Sequence, residues 1–240
     1  MFCCWYPQSN KHRNSKIGVL RIDYKNNTVT KEANNESISG LDIEYEVIQG
    51  LTLEKAQQSY IDDNIKISII KAIQKLEKRY IKGITGDSSF LMAYQELIRE
   101  HTILPVFMTS LLQIPIACAY IKPDEQIGII TANSETLTPN LETVLKNIGI
   151  HANMEQIQVI GFQNVDGFDA LAKNEIVDIN KVNDNIKHLI FKTIVDNSNI
   201  KSFIMEYTEL QCYADTIRLC SGLPVFDINT MINMFYSCSI

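Results

Sequence analysis

Glycine is scarce in this chain: ten among 240 residues, and none arranged as G-x-G-x-x-G or G-x-x-x-x-G-K-[ST]. Those spacings let backbone N–H groups close on phosphates, so dinucleotide and P-loop nucleotide binding lose their sequence basis. An excess of positive charge is also lacking. Net charge is −6 and the pI is near 5.3, which leaves no cationic footprint for nucleic acid or an anionic membrane. No apolar run approaches the roughly 18 residues that span a bilayer. The N-terminus is apolar only over Met1 to Pro7 and is then charged at Lys11 and Arg13. A signal peptide needs the reverse order, so the expectation is a cytoplasmic protein with residues 1–15 as a mobile leader. The Cys3-Cys4 pair is read as part of that leader rather than as a lipidation site.

The six cysteines form no C-x-x-C, and the four histidines show no ligand spacing. Packed free thiols are expected, with no metal and no cofactor.

What the chain has in quantity is hydrophobic sequence, 45%, enough for one large domain or two of about 100 residues. Short β-branched runs alternate with helical patterns, as in parallel sheets. The first half reads as strand Lys16–Ile22, a loop over 25–40, helix Asp62–Tyr80, strand Lys82–Thr85, helix Ser88–Glu100 and strand Leu104–Met108. The second half repeats that order: strand Gln126–Thr131, a mostly helical Glu135–Ile148, strand Gln158–Phe162 and helix Ile179–Asp196. It continues with strand Lys201–Glu206, helix Glu209–Cys220 stopped by Gly222, and strand Leu223–Asp227.

The repetition is literal in places. Ile17-Gly18-Val19-Leu20 matches Ile127-Gly128-Ile129-Ile130, and Leu104-Pro105-Val106-Phe107 recurs as Leu223-Pro224-Val225-Phe226. Ser88 precedes the first copy, and Tyr207 the second, by the same sixteen positions (88 to 104, 207 to 223). Such spacing argues for an internal duplication. The predicted architecture is therefore α/β: two similar parallel-sheet α/β domains related by a pseudo-twofold axis. The first takes 16–108 plus 228–240, and the second takes 109–227.

Ligands of open parallel sheets bind beyond the carboxyl ends of strands, where helix N-termini favour anions. Ser88 and Tyr207 fall in two equivalent strand-to-helix turns of this kind, so a small carboxylate is the expected guest. Ser88 also suits a helix N-cap, and Asp87 suits either a base that activates Ser88 or a cap.

Around these turns the residues resemble a known family. Ile84-Thr85-Gly86-Asp87-Ser88-Ser89-Phe90-Leu91 is similar to the first catalytic turn of the aspartate/glutamate/hydantoin racemase superfamily, a Cys-Gly-Phe element after a strand. Val106 to Pro115, Gly128 to Ser134, Met205 to Leu210 and Gly222 to Thr230 are similar to later segments, in the right order. The resemblance runs from about residue 16 to the C-terminus. It implies a two-domain α/β protein with its site between the halves, acting without a cofactor on an amino-acid-like carboxylate. It also implies that Ser88 and Tyr207 stand where the family keeps its two cysteines.

A tyrosine titrates near 10 and a serine is weaker still as an acid, so neither replaces a thiolate at neutral pH. Cys212, five residues past Tyr207, is expected to be a packed thiol. His101 reads as a surface residue at a helix end. By the resemblance, Ser110 and Thr208 occupy carboxylate-binding positions, and Thr131, Asn133 and Ser134 would bind similarly. Turn-stabilising hydrogen bonds are the alternative for these hydroxyls. The expected function is small-carboxylate binding with two-cysteine racemisation lost. The alternatives are an isomerase or lyase using Ser88, Tyr207 and Asp87, or a non-catalytic scaffold. No nucleic-acid or membrane partner is expected, and a homodimer is compatible with the sequence.

Overall fold

The central strand of the first sheet, β1 (Lys16–Arg21), is buried along its middle four residues, so it lacks the in–out alternation of a half-exposed strand. A computed structural model describes residues 16–23, 42–168, 179–206 and 208–238. The leader 1–15, the loop expected over 25–40 and Tyr207 lie outside these residues. Contacts divide the chain into two units that adjoin in sequence at Met108 and Thr109.

In the first unit β1 pairs in parallel with β2 (Asp42–Val47) on one side and β3 (Ile81–Gly86) on the other. Between β2 and β3 run the short helix α1 (Leu53–Gln57) and the longer α2 (Asp63–Glu77). Asp62 starts α2 by accepting the Ile65 N–H at 2.7 Å. Ile65, Ile69, Ile73 and Leu76 then recur at helical spacing and are buried, while Lys66, Lys71, Lys75 and Lys78 are exposed. Each of those four apolar side chains stabilises the fold by roughly 1.5–3 kcal/mol through burial. After β3 come a 3-10 helix, Ser89–Tyr94, and α3 (Gln95–Glu100).

The second unit opens with a 3-10 turn, Ser110–Gln113, and α4 (Ile114–Ala119). β4 (Gln126–Thr131) is the counterpart of β1, and α5 (Ser134–Leu137) and α6 (Leu141–Asn147) follow it. Next come β5 (Ile157–Gly161), α7 (Ile179–Asp196) and β6 (Ile200–Met205). A 3-10 helix, Thr208–Tyr213, leads into α8 (Ala214–Ser221), then β7 (Val225–Phe226) and α9 (Ile228–Cys238). Gly222 ends α8 in the left-handed region at φ 66°.

The sheet orders are β2-β1-β3 and β5-β4-β6-β7, all parallel. The duplication reaches fine detail. The register shifts after Lys16 in β1 and after the equivalent Gln126 in β4. Gly18 and Gly128 occupy the same place in both. A Cβ on Gly18 would lie 2.6 Å from the Ile81 side chain, and one on Gly128 would lie 2.6 Å from the Phe203 ring.

Three expectations need correction. Leu104–Met108 is not a strand: only Val106 forms an isolated bridge, to Ile84, where Pro105 accepts the Ile84 N–H and offers none of its own. Its counterpart β7 is likewise only two residues long, after Pro224. The two helices expected after the Ser88 and Tyr207 positions both begin as 3-10 segments. Of residues 228–240, expected to return to the first half, the described part, Ile228–Cys238, forms α9, which packs on β7 and on the Ser110–Gln113 turn. The reason is a capping box. Asp227 accepts the Thr230 N–H at 2.7 Å, Thr230 donates to Gln113 Oε1 at 2.9 Å, and Gln113 Nε2 donates to the Asp227 carbonyl at 2.8 Å.

Candidate active site

The turn after β3 is built by prolonging the sheet one residue beyond the strand: the Asp87 N–H donates to the Leu20 carbonyl at 3.1 Å. That bond brings the Asp87 side chain beside the end of β1, where Arg21 Nε donates to Asp87 Oδ2 at 2.8 Å. The guanidinium in turn lies 4.2 Å from the centre of the Tyr45 ring, which holds it in place. Asp87 Oδ1 is buried and has no hydrogen-bond partner among the described residues. Burial pushes the Asp87 carboxyl up to about 6, against the lowering effect of Arg21. Tyr45 is raised as well, by burial first.

Ser88 follows in extended conformation, at φ −141° and ψ 139°. It occupies the N-cap position of the 3-10 helix, yet its side chain makes no capping bond. Its hydroxyl is fully buried and unpartnered among the described residues. The capping reading of Ser88 and of Asp87 therefore fails: the hydroxyl makes no capping bond, and the carboxylate is engaged with Arg21. The floor of the turn is held by Thr85, donating to the Phe107 carbonyl at 2.8 Å, and by Gln95, which bonds Val106 and Met108.

The equivalent turn after β6 repeats the construction with different chemistry. The Glu206 N–H donates to the Ile130 carbonyl at 2.8 Å, and Thr131 Oγ1 donates to Glu206 Oε2 at 2.9 Å. Thr131 ends β4 as Arg21 ends β1, so a neutral hydroxyl stands where the first unit has a cation. Burial pushes Glu206 up to about 7, with the Thr131 bond pulling the other way. Tyr207 comes next, outside the described residues, and Thr208 opens the 3-10 helix.

The remaining expected residues are engaged in structure. Ser110 donates its hydroxyl to the Met205 carbonyl. Asn133 caps α5 by accepting the Glu135 and Thr136 N–H groups. Ser134 Oγ accepts from Gln163 Nε2 at 2.9 Å. Cys212 is exposed rather than packed, and His101 bonds the Leu97 carbonyl. Among the described residues no His, Cys, Asp and Glu cluster could hold a metal, and no helix is long and apolar enough to cross a membrane. A surface depression of about 760 Å³, lined by Tyr80, Lys82, Ile103 and neighbours, lies at the start of β3, the opposite end from Asp87.

Arg21 and Glu206 are absent from the sequence-based site. Glu206 could have been found by symmetry, since it precedes Tyr207 as Asp87 precedes Ser88. Chemically, the two turns offer one arginine-paired carboxylate, one carboxyl raised toward neutrality and one hydroxyl without a partner among the described residues.

No established family profile matches the chain. Dimethylsulfoniopropionate lyase 3 of Emiliania huxleyi (strain CCMP1516) is 36% identical over 222 residues, covering 90% of this chain and 58% of that protein. Dimethylsulfoniopropionate lyase 7 of the same strain is 34% identical over 240 residues, covering 98% and 68%. The dimethylsulfoniopropionate lyase of Durusdinium sp. clade D is 31% identical over 224 residues, covering 93% and 74%. The chain thus spans from little more than half to three quarters of these curated relatives. Among solved structures, allantoin racemase from Klebsiella pneumoniae superposes with a TM-score of 0.59 at 14% identity, covering 93% of this chain and 87% of that one. Unliganded arylmalonate decarboxylase gives 0.55 at 11%, covering 94% and 92%. The fold is that of the aspartate/glutamate/hydantoin racemase superfamily.

Proposed function

This chain belongs to the dimethylsulfoniopropionate lyase family, and from that membership we propose that it binds a small sulfonium carboxylate through the Asp87–Ser88 turn. The observation that carries the reading is the pair of adjacent buried polar atoms, Asp87 Oδ1 and Ser88 Oγ, that have no hydrogen-bond partner among the described residues. Each such atom costs about 1–3 kcal/mol when no ligand or water satisfies it, so a fold keeps it where a ligand supplies the missing bond. The hydroxyl suits the carboxylate end of a sulfonium propionate, and the Asp87 carboxylate suits its cationic end.

Thiol-dependent racemisation is not the reaction in this reading. Moving a proton across a carbon needs a matched acid and base on opposite faces, and Ser88 and Tyr207 replace both cysteines.

Calorimetric titration with dimethylsulfoniopropionate, propionate and acrylate tests the reading. Saturable binding of the first two is expected, weakened at least tenfold in Ser88→Val. Absence of binding for all three at millimolar concentration would exclude it.

A further inference from the structure

A sulfonium propionate can be cleaved by one base acting on one face. The base removes a proton from the carbon beside the carboxylate, and the C–H electron pair becomes the new C=C bond. The C–S pair departs on sulfur, giving acrylate, a neutral dialkyl sulfide and a protonated base that later returns its proton to water. No oxidant or reductant is needed, and the neutral leaving group needs no acid. The loss of two thiols therefore disables two-face racemisation without disabling this elimination.

The turn after β3 holds what that step requires. One oxygen of Asp87 is fixed by Arg21 at 2.8 Å, and Arg21 is itself held over Tyr45. The Ile22 and Asp87 backbone N–H groups also act on this carboxylate, and the other oxygen, Oδ1, is buried with no hydrogen-bond partner among the described residues, so its direction is set and no described side chain occupies it. Beside it, Ser88 Oγ–H has no acceptor among the described residues and can donate to the substrate carboxylate, where negative charge accumulates as the C–H bond breaks. Among the described residues, Arg21 and Tyr45 are the charged and titratable side chains that interact electrostatically with Asp87. A carboxyl brought up to about 6 is still ionised at neutral pH, and it is a stronger base than a solvated aspartate.

We infer that Asp87 is the proton acceptor in β-elimination of a small sulfonium carboxylate, with Ser88 Oγ–H as hydrogen-bond donor to the substrate's carboxylate. This rests on the ligand reading given above and goes beyond it by assigning turnover and a base.

The test uses the full chain with dimethylsulfoniopropionate, measuring dimethyl sulfide by headspace gas chromatography and acrylate by proton NMR in the same vial. Equimolar products are expected from the parent. Asp87→Asn should lower the rate by about 10²-fold or more, and Ser88→Ala by about tenfold, with far-UV circular dichroism confirming folding. The parent's rate should rise with pH through about 6, the point to which Asp87 is pushed, and Asp87→Glu should retain turnover with that midpoint displaced. Binding of substrate with no dimethyl sulfide released overturns the inference and leaves the ligand reading standing. Absence of both binding and release removes the two together. Undiminished release by Asp87→Asn overturns the role of Asp87. If Asp87→Asn does not fold, an unchanged pH midpoint in Asp87→Glu overturns it instead.

Discussion

Arg21 and Asp87 are joined at 2.8 Å across adjoining strand ends, and yet the carboxyl is raised rather than lowered. Both side chains are about 15% exposed, so the loss of hydration outweighs the attraction of a single cation. The pair is thus less a source of stability than a device for keeping a buried carboxylate ionised.

Removing the cation should make that plain. Arg21→Met leaves the buried carboxylate alone, and a loss of roughly 2 kcal/mol at pH 8 is expected after allowing for partial exposure. The loss should shrink at pH 5, where Asp87 becomes neutral. Urea denaturation at the two pH values checks this. An equal loss at both would show that the arginine acts through packing alone.

Stability itself should fall as pH rises. Asp87 and Glu206 have folded values near 6 and near 7, above the ordinary carboxyl range. The folded state therefore binds more protons than the unfolded chain between about pH 4 and 7. Their contribution is fully present below about 4 and is lost as pH climbs through 6 to 7. Glu206→Gln should remove most of the slope near 7 and stabilise the protein at pH 8 by about 2–3 kcal/mol. Denaturation midpoints from pH 5 to 8 decide the matter, and a parent-like slope in Glu206→Gln would count against it.

Gly128→Ala should cost about 1–3 kcal/mol, because the new Cβ meets the Phe203 ring at 2.6 Å. Phe203→Leu should offset part of that loss, giving a double mutant less destabilised than the sum of the singles. Melting temperatures of the four proteins provide the cycle, and strict additivity would place the strain elsewhere.

The parent should show negligible α-proton exchange with aspartate, glutamate or hydantoins in deuterated water. Ser88→Cys combined with Tyr207→Cys should acquire it, since a thiolate at each position supplies the matched acid and base now missing. Deuterium incorporation followed by NMR reports the result directly. Robust exchange by the parent would mean that a group other than a thiol already performs racemisation.

Much of this architecture was legible in the sequence where burial alone writes the pattern. β4 and α7 fall on their expected bounds, because an unbroken apolar run or a 3.6-residue period needs no knowledge of partners. β2 is less legible. Its Glu44 and Glu46 read as solvated polar residues until Lys16, Lys75 and Arg79, supplied by β1, α2 and the turn after it, pair with them. The strand-end turn that carries Asp87 and Ser88 was legible in position, and its hydrogen bonds were not. Asp87 and Ser88 stand out by resemblance, whereas the roles of Arg21 and Glu206 depend on which strand end lies next to which. The hydrogen bonds of Asn133, Ser134 and Ser110 were not legible either, because their partners, Gln163 and backbone groups, are distant or invisible in sequence.

The proline-led ends of the two sheets have a meaning for life in a crowded solution. An open sheet whose last strand is long and regular offers its free N–H and C=O groups to any passing chain. Here that side of the first sheet shrinks to a single bridge at Val106 after Pro105, and that of the second to two residues after Pro224. A foreign strand arriving there finds a ladder one or two rungs long, interrupted by a residue that cannot donate. The repeated Leu-Pro-Val-Phe thus leaves each half little regular edge there for a foreign strand to pair with.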